Sequence, residues 1–174
     1  MAVKSAANSE TFALTTPSDR EIRMTRLFDA PPRLVFEAMS KPEHVTRWWG
    51  RIGDGYSVPI CEVDLRPGGK WRYVNRHPKG EAEFYGVYRE INPPSRMVFT
   101  EVYAPFPDAE SVVTVELTEE NGKTRFTITS AYPSREVRDM VLKSGMERGA
   151  AISYDRLEEV AAELAASRGK MRPS

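Results

Sequence analysis

From Ser57 to Tyr132 apolar side chains tend to recur at every second position, and clusters of turn formers break the run: Pro67-Gly68-Gly69, Pro78-Lys79-Gly80, Pro93-Pro94-Ser95, Pro105 to Pro107, and Asn121-Gly122. This pattern constrains the fold most, because a period of two belongs to strands that bury one face and cannot be satisfied by a helix. The turns divide the stretch into six strands, and connections this short make neighbours antiparallel, giving a meander. Upstream, Thr11 to Thr16 and Glu21 to Phe28 flank the turn formers Pro17, Ser18 and Asp19, which predicts a leading hairpin.

Two helical regions complete the order of elements. Pro31 and Pro32 suit the first turn of a helix reaching about Met39. Ser40 and Glu43 have the spacing of a capping box, which predicts a second short helix carrying His44, Trp48 and Trp49. After Pro133, Ser134 can cap a long helix to about Ala166, with apolar residues at 146, 150, 154, 157, 161 and 164. Gly145 and Gly149 interrupt that helix and predict a bend or close contact.

Register refines the picture, since a slip of one residue would turn every side chain to the other face. A two-residue turn at Asn121-Gly122 pairs Leu117 with Phe126 and Val115 with Ile128. A turn at Pro78-Lys79 pairs His77 with Gly80, and so places Tyr73 opposite Phe84 and Trp71 opposite Gly86, where an indole can cover a bare strand position. Closing at Pro93-Pro94 sets Tyr88 opposite Phe99 and Gly86 opposite Glu101, with Tyr103 beside Phe84. A three-residue loop at Pro67-Gly68-Gly69 pairs Leu65 with Trp71 and Val63 with Tyr73, leaving Glu62, Asp64 and Arg72 together on the opposite face. One face then collects Cys61, Val63, Leu65, Trp71, Tyr73, Phe84, Tyr88, Met97, Phe99, Val113, Val115, Leu117, Phe126 and Ile128, with Glu101 as its one carboxylate, and the C-terminal helix must cover it.

The length of 174 residues suits one domain, expected over 11–166 between flexible ends at 1–10 and 167–174. Lys plus Arg and Asp plus Glu number 25 each, so the chain lacks the positive excess of a nucleic-acid binder. No apolar stretch is long enough to span a membrane, and the N-terminus has no apolar leader. The single cysteine, Cys61, excludes an intrachain disulfide and fits a cytoplasmic protein. With only His44 and His77, and no metal-ligand spacing, neither a metal nor a cofactor is expected. No P-loop, dinucleotide fingerprint or G-x-S-x-G occurs.

The strings FDAPPRLVFEAMSKPEHVTRWW, VPICEVDLRPGGKWRYV, GVYREINPPSRMVFTE and SGMERGAAISYDRLEE follow one another in this order. In them the chain resembles prokaryotic relatives of the C-terminal domain of the activator of heat-shock-protein-90 ATPase, a family of the START-like helix-grip superfamily. The resemblance covers roughly Arg20 to Leu164. It implies an α+β fold: a curved antiparallel sheet around a long C-terminal helix, two short helices after the first long strand, and a cavity between. Relatives often carry a large aromatic where this chain has Ala150, which implies a larger cavity here. The resemblance also implies that chaperone stimulation is the weaker reading, since co-chaperones of this type carry a separate N-terminal binding domain that the residues before Arg20 are too few to supply.

Three classes of function stay open. The first is a binding protein enclosing a small hydrophobic or aromatic molecule, lined by Trp49, Trp71, Tyr73, Phe84, Tyr88, Phe99, Glu101, Ala150 and Tyr154. A carboxylate on an apolar face has its charged form disfavoured, so Glu101 can hold an amine or hydroxyl or act as an acid or base. The second is a cyclase-, aromatase- or hydrolase-like enzyme using Glu101 with a tyrosine in the same space. The third is an interaction module for a chaperone or other partner, a homodimer included, which requires an exposed apolar patch on the outer sheet face. The shortage of reactive residue types weighs toward binding.

Overall fold

A computed structural model describes residues 11–171, with side chains to Arg168. The termini at 1–10 and 172–174, for which flexibility is expected, lie outside the described residues. Eight strands form one antiparallel sheet: β1 (Ala13–Thr15), β2 (Glu21–Phe28), β3 (Ser57–Val63), β4 (Lys70–His77), β5 (Gly80–Asn92), β6 (Arg96–Tyr103), β7 (Ser111–Glu120) and β8 (Lys123–Ala131). Their spatial order is β1-β2-β8-β7-β6-β5-β4-β3. Only the step from β2 to β8 is not sequential, so the meander returns to close on the leading hairpin.

Between β2 and β3 lie α1 (Pro32–Ser40) and α2 (Pro42–Trp48); after β8 come α3 (Arg135–Lys143) and α4 (Met146–Met171). This is the curved sheet around a long C-terminal helix that the resemblance implies. The core is continuous from Ile22, Met24 and Phe28 on β2, through Val113, Val115 and Phe126, to Tyr154, Leu157, Val160 and Ala161 on α4. No helix among the described residues is long and apolar enough to cross a membrane.

The tight turns set the register as expected. Leu117 pairs with Phe126 and Val115 with Ile128. His77 pairs with Gly80, Tyr73 with Phe84 and Trp71 with Gly86. Tyr88 pairs with Phe99 and Phe84 with Tyr103, although the turn closes Asn92 on Arg96, one residue wider than a Pro93-Pro94 turn, and an irregularity between Tyr88 and Glu90 restores the expected register. At Gly86 the indole Nε1 of Trp71 donates to the Thr100 carbonyl at 3.1 Å. A Cβ on Gly86 would stand 1.8 Å from that carbonyl oxygen and 2.7 Å from Nε1, so only glycine permits this approach.

Three local expectations are corrected. The connection at Pro67-Gly68-Gly69 is longer than a three-residue loop: the Asp64 amide donates to Lys70 and the Gly69 amide to Arg66, which moves the pairing by two positions. Val63 therefore faces Trp71 and Cys61 faces Tyr73. A shift of two preserves which face each side chain occupies, but Leu65 falls beyond the strand and is exposed. On the outer face Arg72 pairs with Glu62 and Glu83, while Asp64 binds Arg66.

Ser40 does not cap α2. It is the last residue of α1, where its hydroxyl donates to the Phe36 carbonyl at 2.7 Å. Lys41, held extended by the following Pro42, is the N-cap, without a side-chain cap bond. Ser134 does cap its helix, accepting from the Val137 amide at 3.2 Å. That helix is short: it stops before Gly145, at φ 85°, and a second helix starts at Met146. Gly149 lies within α4 without breaking it, and α4 continues to Met171, past the expected end near Ala166.

Candidate functional site

Under the first turns of α4 the sheet and helix do not meet fully. A cavity of about 180 Å³ remains, bounded by β2, β4, β5, β6, β7, β8, α1, α2 and the start of α4. Of the residues expected there, Trp49, Trp71, Tyr73, Tyr88, Phe99, Glu101 and Tyr154 line it. Phe84 and Ala150 do not. Phe84 stacks on Tyr103 at 5.0 Å and meets the edge of Trp49 at 5.1 Å, which puts it behind the wall. Ala150 packs on the core between Met146 and Tyr154, and those longer side chains border the space.

The lining also includes residues not expected in the site: Trp48, Tyr132, Ser130 and four methionines, Met24, Met39, Met97 and Met146. A signal for Met24 was available, since alternation along β2 sets it on the same face as Ile22 and Phe28. Met146 reaches the cavity because the chain breaks at Gly145 and restarts over the sheet, and no local pattern announces where that restart lies.

The aromatic wall is built like a box and not like a stack. Trp49 meets Tyr73 at 5.0 Å and 68°, Trp71 meets Tyr73 at 4.8 Å and 56°, and Trp71 meets Phe99 at 5.6 Å and 84°. Tyr88 continues it against Phe99 at 6.1 Å and 72°. The two adjacent indoles divide their roles: Trp48 is buried and donates to the Ala38 carbonyl at 2.8 Å, tying α2 to α1, while Trp49 leans over the sheet aromatics.

Glu101 sits in this wall on β6. Its carboxyl makes no hydrogen bond or ion pair among the described residues, and burial pushes it up to about 7. Burial also lifts the phenols around it: Tyr132 to about 12, and Tyr73, Tyr88 and Tyr154 well above the usual range. The Tyr73 and Tyr88 hydroxyls are close enough to perturb each other, as are those of Tyr132 and Ser130. Near neutrality the phenols are therefore neutral donors and acceptors, and Glu101 is the group in the cavity that changes charge.

Other polar groups do not converge here. His44 faces Glu37 at 3.6 Å, and His77 Nδ1 accepts from the Lys79 amide at 3.2 Å in its turn. Cys61 is half-buried, and burial beside Glu62 raises its thiol to about 11, which makes it a poor nucleophile. No group of three or more His, Cys, Asp or Glu among the described residues is placed to hold a metal.

The comparisons with known proteins agree with this architecture. A crystal structure of a Rhodobacter sphaeroides protein is similar with a TM-score of 0.80 at 26% identity, covering 88% of this chain and 99% of that one. A Mycobacterium smegmatis protein superposes with a TM-score of 0.75 at 24% identity, covering 85% and 94%. An Hsp90 activator from Plasmodium falciparum shares the fold with a TM-score of 0.58 at 21% identity, covering 84% and 96%. No curated protein matches the chain. The model of one family, activator of Hsp90 ATPase homolog 1-like protein, matches residues 29–162, most of the chain. On that match the chain belongs to the family of activator of Hsp90 ATPase homolog 1-like proteins.

Proposed function

We propose that this protein encloses a small hydrophobic or aromatic molecule between its sheet and its C-terminal helix, and that it does so without chemistry. The observation that carries the reading is the aromatic-walled cavity of about 180 Å³ with an unpaired carboxyl in its wall. An apolar protein cavity of about 150 Å³ is enough to hold benzene. The space therefore suits one ring with a few substituents, and is well short of the ~300–1,000 Å³ of pockets for larger ligands.

The size weighs against the polycyclic substrate of a cyclase. The residue inventory weighs against the enzyme reading as well: no His, Lys, Cys or second carboxyl among the described lining residues joins Glu101. The lone, half-buried Cys61 fits a reducing compartment such as the cytoplasm.

Native mass spectrometry of freshly purified protein tests the reading. The expected result is an adduct with the mass of a single-ring compound, or uptake of toluene by the empty protein. An unliganded mass throughout, with no toluene binding by calorimetry at millimolar concentration, removes it.

A second reading, an interaction module for an Hsp90-type chaperone, draws on the family and on the Plasmodium relative. Exposed Tyr85 and Val87 on the outer sheet face offer apolar surface for it. It predicts a change in chaperone ATPase rate on adding this protein, and no change at saturation would discard it.

A further inference from the structure

The charge pattern of the cavity goes beyond its size. Among the described residues no Lys, Arg, His or Asp lines it, and Glu101 is the one formally charged residue of the lining. Several other polar groups of the wall have company: the Tyr73 hydroxyl with that of Tyr88, Tyr132 with Ser130, and the Trp71 and Trp48 indole N–H groups with the Thr100 and Ala38 carbonyls. The Glu101 carboxyl has no hydrogen bond or ion pair among the described residues, and the Tyr154 hydroxyl on the facing helix has no hydrogen bond there either. Around Glu101 the rings of Trp49, Tyr73, Trp71, Phe99 and Tyr88 meet at steep angles, so that faces as well as edges can border the enclosed space. Ring faces carry the negative end of the aromatic quadrupole and attract organic cations. A carboxylate ligand would meet Glu101 with no basic side chain among the described lining residues to receive it, which disfavours fatty acids and aryl acids.

We propose that the ligand is a small organic ammonium ion, its charged nitrogen set against the Glu101 carboxylate and its carbon body against the ring box. The inference rests on the cavity-binding reading above and adds the sign of the ligand's charge. A neutral ring of the same size fills the volume but leaves Glu101 either protonated or buried unpaired, and a buried carboxylate without a partner is costly. A cation removes that cost and gains the ring faces.

A pH dependence follows from the groups that face Glu101. From β4, α4 and the segment after β8 these are Tyr73, Tyr154 and Tyr132, with Tyr88 of β5 behind Tyr73, all held neutral near pH 7. Burial holds the empty-cavity Glu101 near 7, so the carboxylate that an ammonium ion needs is present above that pH and lost below it. Affinity for the cation therefore rises with pH through about 7 and then levels off.

Calorimetry with benzylamine, benzyl alcohol and toluene at pH 8 and pH 5.5 tests the inference, since the three probes share one ring and differ in the group beside it. Benzylamine is expected to bind at least about tenfold tighter than benzyl alcohol at pH 8, by ion pairing and cation–π attraction in a desolvated site. The advantage should shrink toward parity at pH 5.5. Glu101→Gln, which keeps the shape, should abolish the preference and retain toluene. Should that variant not fold, the pH comparison on the wild-type protein decides alone. Benzylamine binding no tighter than benzyl alcohol at pH 8, or a preference that survives in E101Q, overturns the ammonium assignment while toluene binding keeps the cavity reading. Failure of all three probes to bind removes both.

Discussion

Two carboxyl groups enter the space between sheet and helix, and the molecule treats them in opposite ways. At one end, Glu158 on α4 is 6% exposed; it accepts from Arg26 Nη2 at 2.7 Å and from the Asp29 amide at 2.9 Å. Arg26, 1% exposed, also binds Asp155 at 2.5 Å and lies 5.3 Å from the centre of the Phe28 ring. At the other end, Glu101 on β6 faces Tyr154 and the cavity with no cation nearby among the described residues. Tyr154 and Glu158 stand one helical turn apart on α4, so the boundary between the filled and hollow layers is a single turn wide. Where a long side chain from β2 crosses to the helix, the interior is closed and neutralised. Where methionines and tyrosines stop short of one another, it is open and carries an unanswered charge.

The contrast can be broken from either side. Removing the neutralising group should have the largest effect: Arg26→Met takes the cation from buried Glu158 and is expected to cost about 3–5 kcal/mol, read by urea denaturation. Glu101→Gln should act in the reverse direction. Its folded-state pKa, pushed up to about 7 from 4.5, means that the wild type loses stability as pH rises through that interval. The variant should therefore be more stable by roughly 2 kcal/mol at pH 8, after allowing for hydration of the carboxyl through the cavity, and nearly equal near pH 4.5. Equal stability at both pH values would mean that Glu101 is solvated.

Smaller changes sharpen the same picture. Val113→Ile adds one methyl group to the cavity wall. It should stabilise by up to about 1 kcal/mol and weaken toluene binding, whereas a solidly packed core would lose about 1–3 kcal/mol to overpacking. Arg72→Ala removes exposed ion pairs to Glu62 and Glu83 on the outer face and should leave the melting temperature almost unchanged.

Legibility tracked how tightly local chemistry limits the chain. Asn121-Gly122 and Pro78-Lys79 allow one hairpin geometry each, and the register read from them is the register observed. The segment around Pro67-Gly68-Gly69 allows several loop lengths, and there the pairing was two residues off although the faces were right. Glu101 was legible because the hairpin register sets it on the face of Met97 and Phe99. Arg26 was not singled out in the sequence, although alternation along β2 sets it on the face of Met24 and Phe28; which carboxylates it meets is seen only in the fold.

Order of elements, strand faces, turn positions and the aromatic character of the interior were properties of the amino-acid sequence alone, because periodicity and turn chemistry act over a few residues. Whether facing side chains touch depends on how far the sheet curves and where α4 restarts after Gly145. That is why Phe84 and Ala150 lie outside the cavity while Met24, Met39, Met146 and Tyr132 line it. Tertiary packing alone decided that one interior carboxylate has an arginine and the other a hollow, since charge neutralisation in an apolar core is set by distances between elements far apart in the chain.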